Sequence, residues 1–141
     1  MNAFAQLLGL RWPLIQAPMA GVQLNALTLA VSEAGALASL PAAMLTPAAL
    51  RDELQAIRAP AARPGNLNFF CHTEPAPDAP AEAAWRDALQ PYFTELGVDP
   101  AKIAAGASRA PFGEAAAALV EEFRPPVVSF HFGLPPPPLL A

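Results

Sequence analysis

Short apolar runs alternate with amphipathic stretches along the whole chain. Four runs of aliphatic and aromatic residues predict strands at residues 12–17, 36–40, 66–71 and 126–132. Between them, apolar residues recur every three or four positions, which predicts helices that pack on a sheet, the last of them at 114–123. Strands that alternate with helices favour a parallel α/β sheet with right-handed crossovers.

Capping residues and apolar stripes define the helices further. Gly35 is expected to end the first helix in a left-handed conformation, and Thr46 and Pro47 are typical of an N-cap and a first helical position. In the helix that follows, the buried stripe is expected to contain Leu50, Leu54 and Ile57, while Arg51, Asp52 and Glu53 face outward. A later helix, from near residue 81, has an apolar face of Trp85, Leu89, Tyr92, Phe93 and Leu96, and Pro91 is expected to kink or split it.

Composition narrows the class of protein. A chain of 141 residues can form one modest domain, and its net charge of -4 argues against nucleic acid as a partner. The single cysteine excludes an internal disulfide and fits a reducing compartment. The uncharged run at residues 12–32 is long enough to raise the question of a membrane span, but prolines, glycines and amides interrupt it. The sequence therefore indicates a cytoplasmic protein without a membrane segment.

The predicted architecture corresponds to part of a (β/α)8 TIM barrel. Four βα units make half of a closed eight-stranded barrel, which typically needs about 250 residues. Residues 1–141 are accordingly interpreted as the amino-terminal half of such a barrel. In parallel sheets the carboxyl ends of the strands share one edge, where active sites form. That edge is expected to collect Met19, Ala20, Gly21, Pro41, Asn68, Cys71, His72 and His131.

Two polar residues at this edge are candidates for chemistry. His131 ends the last predicted strand between Phe130 and Phe132, and strand alternation points its ring away from both. It is either a general base or a core histidine bonded to a backbone carbonyl. Asn68 is the amide within an apolar strand, and it either bonds a neighbouring backbone or meets a flavin or phosphate edge.

The remaining residues of this edge carry weaker signals. Cys71 is expected to be a small core side chain and His72 a loop residue, and the pair alone predicts no metal site. Gly21 allows close approach to a flat ring, although an ordinary turn needs glycine equally. The chain contains no Gly-x-Gly-x-x-Gly, Walker lysine loop or Gly-x-Ser-x-Gly elbow.

Four segments resemble the nitronate monooxygenases, which are FMN enzymes on a TIM barrel. The segments, in the order of that family, are PLIQAPMAG (13–21), ASLPAAML (38–45), NLNFFCH (66–72) and VVSFHFGLP (127–135). The resemblance differs at Gln23-Leu24-Asn25, where a Ser/Thr-Pro helix opening is usual, and at Ala38, where glycine is usual. It covers nearly the whole chain, but the Gly-rich phosphate loops of the family belong to later strands.

The resemblance implies roles for particular residues. His131 matches the base that removes the α-proton of a neutral nitroalkane, and Asn68 matches a residue at the FMN site. The backbone of Ala17, Pro18, Met19 and Ala20 is expected to lie against the isoalloxazine. The implied reaction is oxidation of an alkyl nitronate by oxygen, with propionate 3-nitronate giving an oxo acid and nitrite without a nicotinamide cofactor.

Other functions remain open at the level of sequence. The same barrel supports an FMN-dependent NAD(P)H reductase or an enoyl reductase, and a non-catalytic half-barrel that pairs with another chain is a third possibility. Because half a barrel leaves sheet edges unpaired, residues 1–141 alone are expected to self-associate and not to retain FMN.

Overall fold

The computed structural model describes residues 2–58, 65–103 and 109–140. They form α1 (Ala3–Leu7), α2 (Asn25–Ala34), β1 (Ala38–Pro41), α3 (Pro47–Arg58), β2 (Gly65–Phe70), α4 (Ala79–Glu95), α5 (Glu114–Phe123) and β3 (Val127–His131), with short 3-10 helices at Pro100–Lys102 and Pro137–Leu139. The chain divides into two compact units, Met1–Thr73 with Ser108–Ala141, and Glu74–Ala107. The sheet and the candidate site belong to the first unit.

The sheet is parallel, with strand order β1-β2-β3. Three of the four predicted strands are confirmed, with bounds that agree to within two residues. The helix predicted at 114–123 is confirmed as α5. The register places Ser39 opposite Asn66, and Asn68 opposite Ser129.

The first predicted strand, residues 12–17, is not a full strand. The N–H of Leu37 donates to the carbonyl of Leu14 at 3.0 Å, and the N–H of Gln16 donates to the carbonyl of Leu37 at 2.9 Å. The next rung of a parallel ladder would need an N–H from residue 18, and Pro18 has none. The segment therefore lies along β1 but forms only one isolated parallel bridge to Leu37.

One face of the sheet packs against the helices and forms the hydrophobic core. Leu40 in β1 and Leu67 and Phe69 in β2 are buried there. They pack in one cluster with Leu50, Leu54, Phe112 and Leu119. The rings of Phe69 and Phe112 meet edge to face, with centroids 4.9 Å apart. The core thus fixes the orientation of the strands and leaves their other face for polar residues.

The predicted end of α2 and the predicted start of α3 are confirmed, and Glu53 of α3 makes a contact that was not expected. Gly35 ends α2 at a φ of 93°, and the Thr46 hydroxyl accepts the N–H of Ala49 at 3.2 Å at the start of α3. Glu53 was expected only to face solvent, but its carboxylate accepts the N–H of Asn25 at 2.8 Å. This contact supplies the cap that the first turn of α2 lacks from its own residue 24.

Helix α4 lies in the second unit and is continuous through Pro91. Of the two expected outcomes at this proline, a kink or a split, the split is wrong. Because Pro91 has no N–H, the carbonyl of Asp87 lacks its helical donor. Both residues are exposed, so water can donate to that carbonyl instead. Of the predicted apolar face, Trp85 and Tyr92 are exposed as well. No helix in the described parts of the chain is long and apolar enough to cross a membrane.

Candidate active site

The second face of the sheet carries a row of polar side chains. Because alternate residues of a strand point to the same face, Asn66 and Asn68 of β2 lie beside Ser129 and His131 of β3, with Ser39 of β1 next to Asn66. We call these five residues the polar row. Ser39, Asn66 and Asn68 are buried, Ser129 is half-buried and His131 is exposed. The row therefore runs from the interior to the carboxyl edge of the sheet.

Two glutamines anchor the inner end of the polar row. The Gln16 side-chain oxygen accepts the N–H of Ser39 at 3.1 Å, and Gln23 Nε2 donates to the Ser39 carbonyl at 2.7 Å. The glutamines also bond each other, at 2.6 Å between Gln16 Nε2 and Gln23 Oε1. They replace the ladder that Pro18 interrupts. Sequence reasoning missed both residues, although two amides in an uncharged run were a usable signal.

Asn66 links the three strands. Its Nδ2 donates to Ser39 Oγ at 3.0 Å and to Ser129 Oγ at 2.9 Å. Its Oδ1 is buried and has no hydrogen-bond partner among the described residues. Both hydrogens of the amide are thus committed to hydroxyl groups on the neighbouring strands.

Asn68 links His131 to the other residues of the polar row. The amide is only 2 % exposed, and Nδ2 lies 2.9 Å from Ser129 Oγ and 3.3 Å from the Ser129 carbonyl. His131 Nδ1 is 3.0 Å from Nδ2 and 3.2 Å from Oδ1 of the same amide. Asn68 therefore bonds a neighbouring backbone, one of its two expected roles, and also holds the imidazole.

His131 ends β3 with its ring exposed to solvent. The alternative of a core histidine bonded to a backbone carbonyl is wrong, because the ring is exposed and contacts the Asn68 amide. Its predicted direction is right relative to Phe130, which packs against the core. It is wrong relative to Phe132, whose ring centroid lies 6.2 Å away. Phe132 has a φ of 67°, so the strand alternation ends before it.

The loop from Ala17 to Ala20 follows Gln16 at the same edge. Ala17, Met19 and Ala20 are exposed and Pro18 is half-buried. An open cleft of about 440 Å³ lies beyond this loop, lined by Gly21, Val22, Gln23, Leu24, Pro41, Met44 and Leu45. Gly21 has a φ of 83°, a conformation that favours glycine, so the turn explains this residue. An added Cβ would meet nothing within 4 Å, so close packing does not explain it.

The comparisons with known proteins identify the family of this chain. The model of the nitronate monooxygenase family matches residues 2–141. The chain belongs to this family. The predicted resemblance is confirmed.

Two curated relatives carry the name nitronate monooxygenase. The protein of Paraburkholderia phytofirmans is 39% identical over 141 residues, which are 99% of this chain and 38% of that protein. The protein of Pseudomonas aeruginosa is 40% identical over 137 residues, which are 96% of this chain and 39% of that protein. This member of the nitronate monooxygenase family therefore spans about two fifths of the length of these relatives.

Solved structures support the fold. A nitroalkane oxidase from Streptomyces ansochromogenes is 31% identical with a TM-score of 0.74, and the match covers 99% of this chain and 38% of that one. FabK from Thermotoga maritima has a TM-score of 0.61 at 20% identity, covering 94% of this chain and 31% of that one, and shows the fold alone. The parallel α/β architecture is thus confirmed and is consistent with a partial barrel. The predicted number of four βα units is not confirmed, because the described residues form three strands and one bridged segment.

In this chain, Cys71 and His72 follow β2 directly. Cys71 is half-buried against the core, and its N–H donates to the His131 carbonyl at 2.8 Å. Burial raises the pKa of the Cys71 thiol above its ordinary value. The structure thus agrees with a core role. Within the described ranges, no group of three or more His, Cys, Asp or Glu residues is arranged to hold a metal ion.

The raised pKa of Cys71 predicts that its thiol reacts slowly with alkylating reagents. Because the thiolate is the reactive form, alkylation by iodoacetamide at neutral pH is expected to be several-fold slower in the folded chain than in urea. Mass spectrometry assigns the product directly, since Cys71 is the single cysteine. Equal rates in the two states would show that burial does not protect this thiol.

Proposed function

We propose that this chain is the His131-bearing, amino-terminal part of an FMN-dependent nitronate monooxygenase. The reaction is oxidation of alkyl nitronates by oxygen, with propionate 3-nitronate as the substrate that gives an oxo acid and nitrite. The observation that carries the proposal is the contact of His131 Nδ1 with the buried Asn68 amide at 3.0 to 3.2 Å, at the carboxyl edge of a parallel sheet. Family membership supplies the reaction class.

His131 acts as the base toward neutral nitroalkanes. Its ring is exposed, so a small substrate can reach it, and the buried Asn68 amide fixes its orientation. The contacts to Asn68 engage Nδ1, which leaves Nε2 as the nitrogen that takes the α-proton. A preformed nitronate has already lost that proton and needs no base.

The residues at this edge fit the ring of FMN. An isoalloxazine has an apolar body and a polar edge, and this site offers the exposed apolar loop Ala17–Ala20 together with the uncharged donors and acceptors of the polar row. Ala17, Pro18, Met19 and Ala20 would hold the ring through the backbone, and Asn68 would hold it through the lone pair of its amide oxygen that does not meet His131. When bound, FMN supplies the electron transfer between nitronate and oxygen.

An NAD(P)H-dependent reductase on the same barrel is the alternative enzyme. The likeness to FabK concerns the fold alone at 20% identity, whereas the relatives at 39 to 40% identity are named nitronate monooxygenases. The third possibility is a half-barrel that has no catalytic role. We propose a cytoplasmic location, which fits the single cysteine.

One assay separates these functions. We expect residues 1–141 fused to the unmatched part of the Paraburkholderia phytofirmans relative to bind FMN and to release nitrite from propionate 3-nitronate as oxygen is consumed. Residues 1–141 alone are expected to be colourless and self-associated, because an open sheet leaves its edges unpaired. Oxidation of NADH without nitrite release would favour the reductase, and a fusion without flavin or activity would favour a non-catalytic role.

Asn68→Ala is expected to weaken FMN binding in this fusion by about 1–3 kcal/mol, which is the cost of leaving a buried polar partner unsatisfied. A fluorescence titration with FMN measures the change in affinity. Asn2→Ala is the control, because Asn2 is exposed and precedes α1 as its N-cap residue. An unchanged FMN affinity with a raised KM for nitronate would place Asn68 on the substrate side.

A further inference from the structure

Ser129 determines which end of the Asn68 amide meets His131. Two groups of Ser129 lie near Asn68 Nδ2, the hydroxyl oxygen at 2.9 Å and the carbonyl oxygen at 3.3 Å. A side-chain amide nitrogen carries two hydrogens and accepts none. When both hydrogens are directed to Ser129, the contact that remains for His131 Nδ1 is Asn68 Oδ1 at 3.2 Å.

The two possible contacts have opposite consequences for the imidazole. If Nδ1 accepts a hydrogen from Asn68 Nδ2, the proton of a neutral ring lies on Nε2, which then has no lone pair for a substrate proton. If Nδ1 donates to Asn68 Oδ1, the proton lies on Nδ1 and Nε2 is basic. The partner of one ring nitrogen thus determines the chemistry of the other.

We infer that Ser129 is a positioning residue that holds the Asn68 amide with Oδ1 toward Nδ1–H of His131, so that Nε2 is the basic nitrogen. The relevance of that nitrogen for catalysis rests on the proposed function, whereas the tautomer itself does not. Neither sequence pattern nor family resemblance assigned a role to Ser129.

Asn66 keeps the Ser129 hydroxyl in place. Asn66 Nδ2 donates to Ser129 Oγ at 2.9 Å, so the hydroxyl oxygen accepts an amide hydrogen from Asn66 as well as one from Asn68. Asn66 is itself held by Ser39 Oγ at 3.0 Å. A hydroxyl anchored by two buried amides has one position, and threonine at residue 129 keeps that oxygen whereas alanine removes it.

The tautomer of His131 can be measured by solid-state NMR in the 141-residue chain, because this method tolerates the expected self-association. The chain has two histidines, so ¹⁵N-labelled histidine gives two sets of ring signals, and His72→Gln assigns them. At pH 8.5, where an ordinary imidazole is neutral, His131 is expected to show a protonated Nδ1 and an unprotonated Nε2. Ser129→Ala is expected to lose this dominant tautomer, and Ser129→Thr is expected to keep it.

Two results would overturn the inference. One is a native His131 with its proton on Nε2, and the other is an unchanged tautomer in Ser129→Ala. Ser129→Thr and the circular dichroism spectrum of each variant show whether a lost tautomer reflects unfolding. Because the readout needs neither FMN nor substrate, a failed nitrite assay with the expected tautomer rejects the proposed function alone.

Discussion

His131→Asn is expected to lower the turnover of a neutral nitroalkane by about 10²–10⁴-fold, the usual contribution of a positioned general base. Turnover of the preformed nitronate is expected to fall much less, because its proton has already been removed. The reason lies in the geometry at the end of β3, where an exposed ring is held through Nδ1 by the buried Asn68 amide. Steady-state rates of nitrite release on nitroethane and ethyl nitronate measure both effects in the fusion protein.

His72→Asn is the matched control for this prediction. His72 is the other histidine of the chain and follows β2 at the same edge of the sheet, but the polar row does not include it. We expect this variant to retain the native ratio of the two rates. Equal losses on nitroalkane and nitronate in His131→Asn would contradict the role of His131 as a base.

Leu40→Ala is expected to lower the free energy of unfolding by about 2–5 kcal/mol, as large-to-small changes in packed cores do. Leu40 is fully buried in the middle of β1, between the helices and the strand that carries Asn68. The change is measured as a lower midpoint of urea unfolding at an unchanged slope.

Leu7→Ala provides the comparison for the core variant. Leu7 is 81% exposed, so its removal is expected to change the free energy of unfolding by less than about 0.5 kcal/mol. Similar losses in Leu7→Ala and Leu40→Ala would show that the core described around β1 does not determine the stability of this unit.

The sequence predicts most of the fold because its signals are local. Gly35 and Thr46 act at the helix ends where their residue types indicate, and β2 and β3 follow their apolar runs. The first predicted strand is not a full strand, because apolar residues indicate burial but do not by themselves provide hydrogen bonds between strands. Those bonds need backbone N–H donors, and Pro18 has none. The split at Pro91 was wrong because an exposed helix can lose one hydrogen bond to water.

The candidate site was predicted only in part. His131 and Asn68 were recognisable as polar residues in apolar strands, and the structure brings them into contact. Ser129, Gln16 and Gln23 act through contacts with other strands, and the residue types alone do not reveal such pairing. The reaction class came from the resemblance of four segments, since spacing and composition identify neither a nitronate nor a flavin.

The central claim is that His131 removes a proton from the α-carbon of a nitroalkane at this site. Its most direct test is the exchange of the α-hydrogens of nitroethane in D₂O, followed by proton NMR with the FMN-loaded fusion protein under argon, where oxidation by oxygen cannot occur. We predict catalysed exchange by the native protein and a rate at the buffer background for His131→Asn. Exchange by His131→Asn at the native rate would contradict the claim.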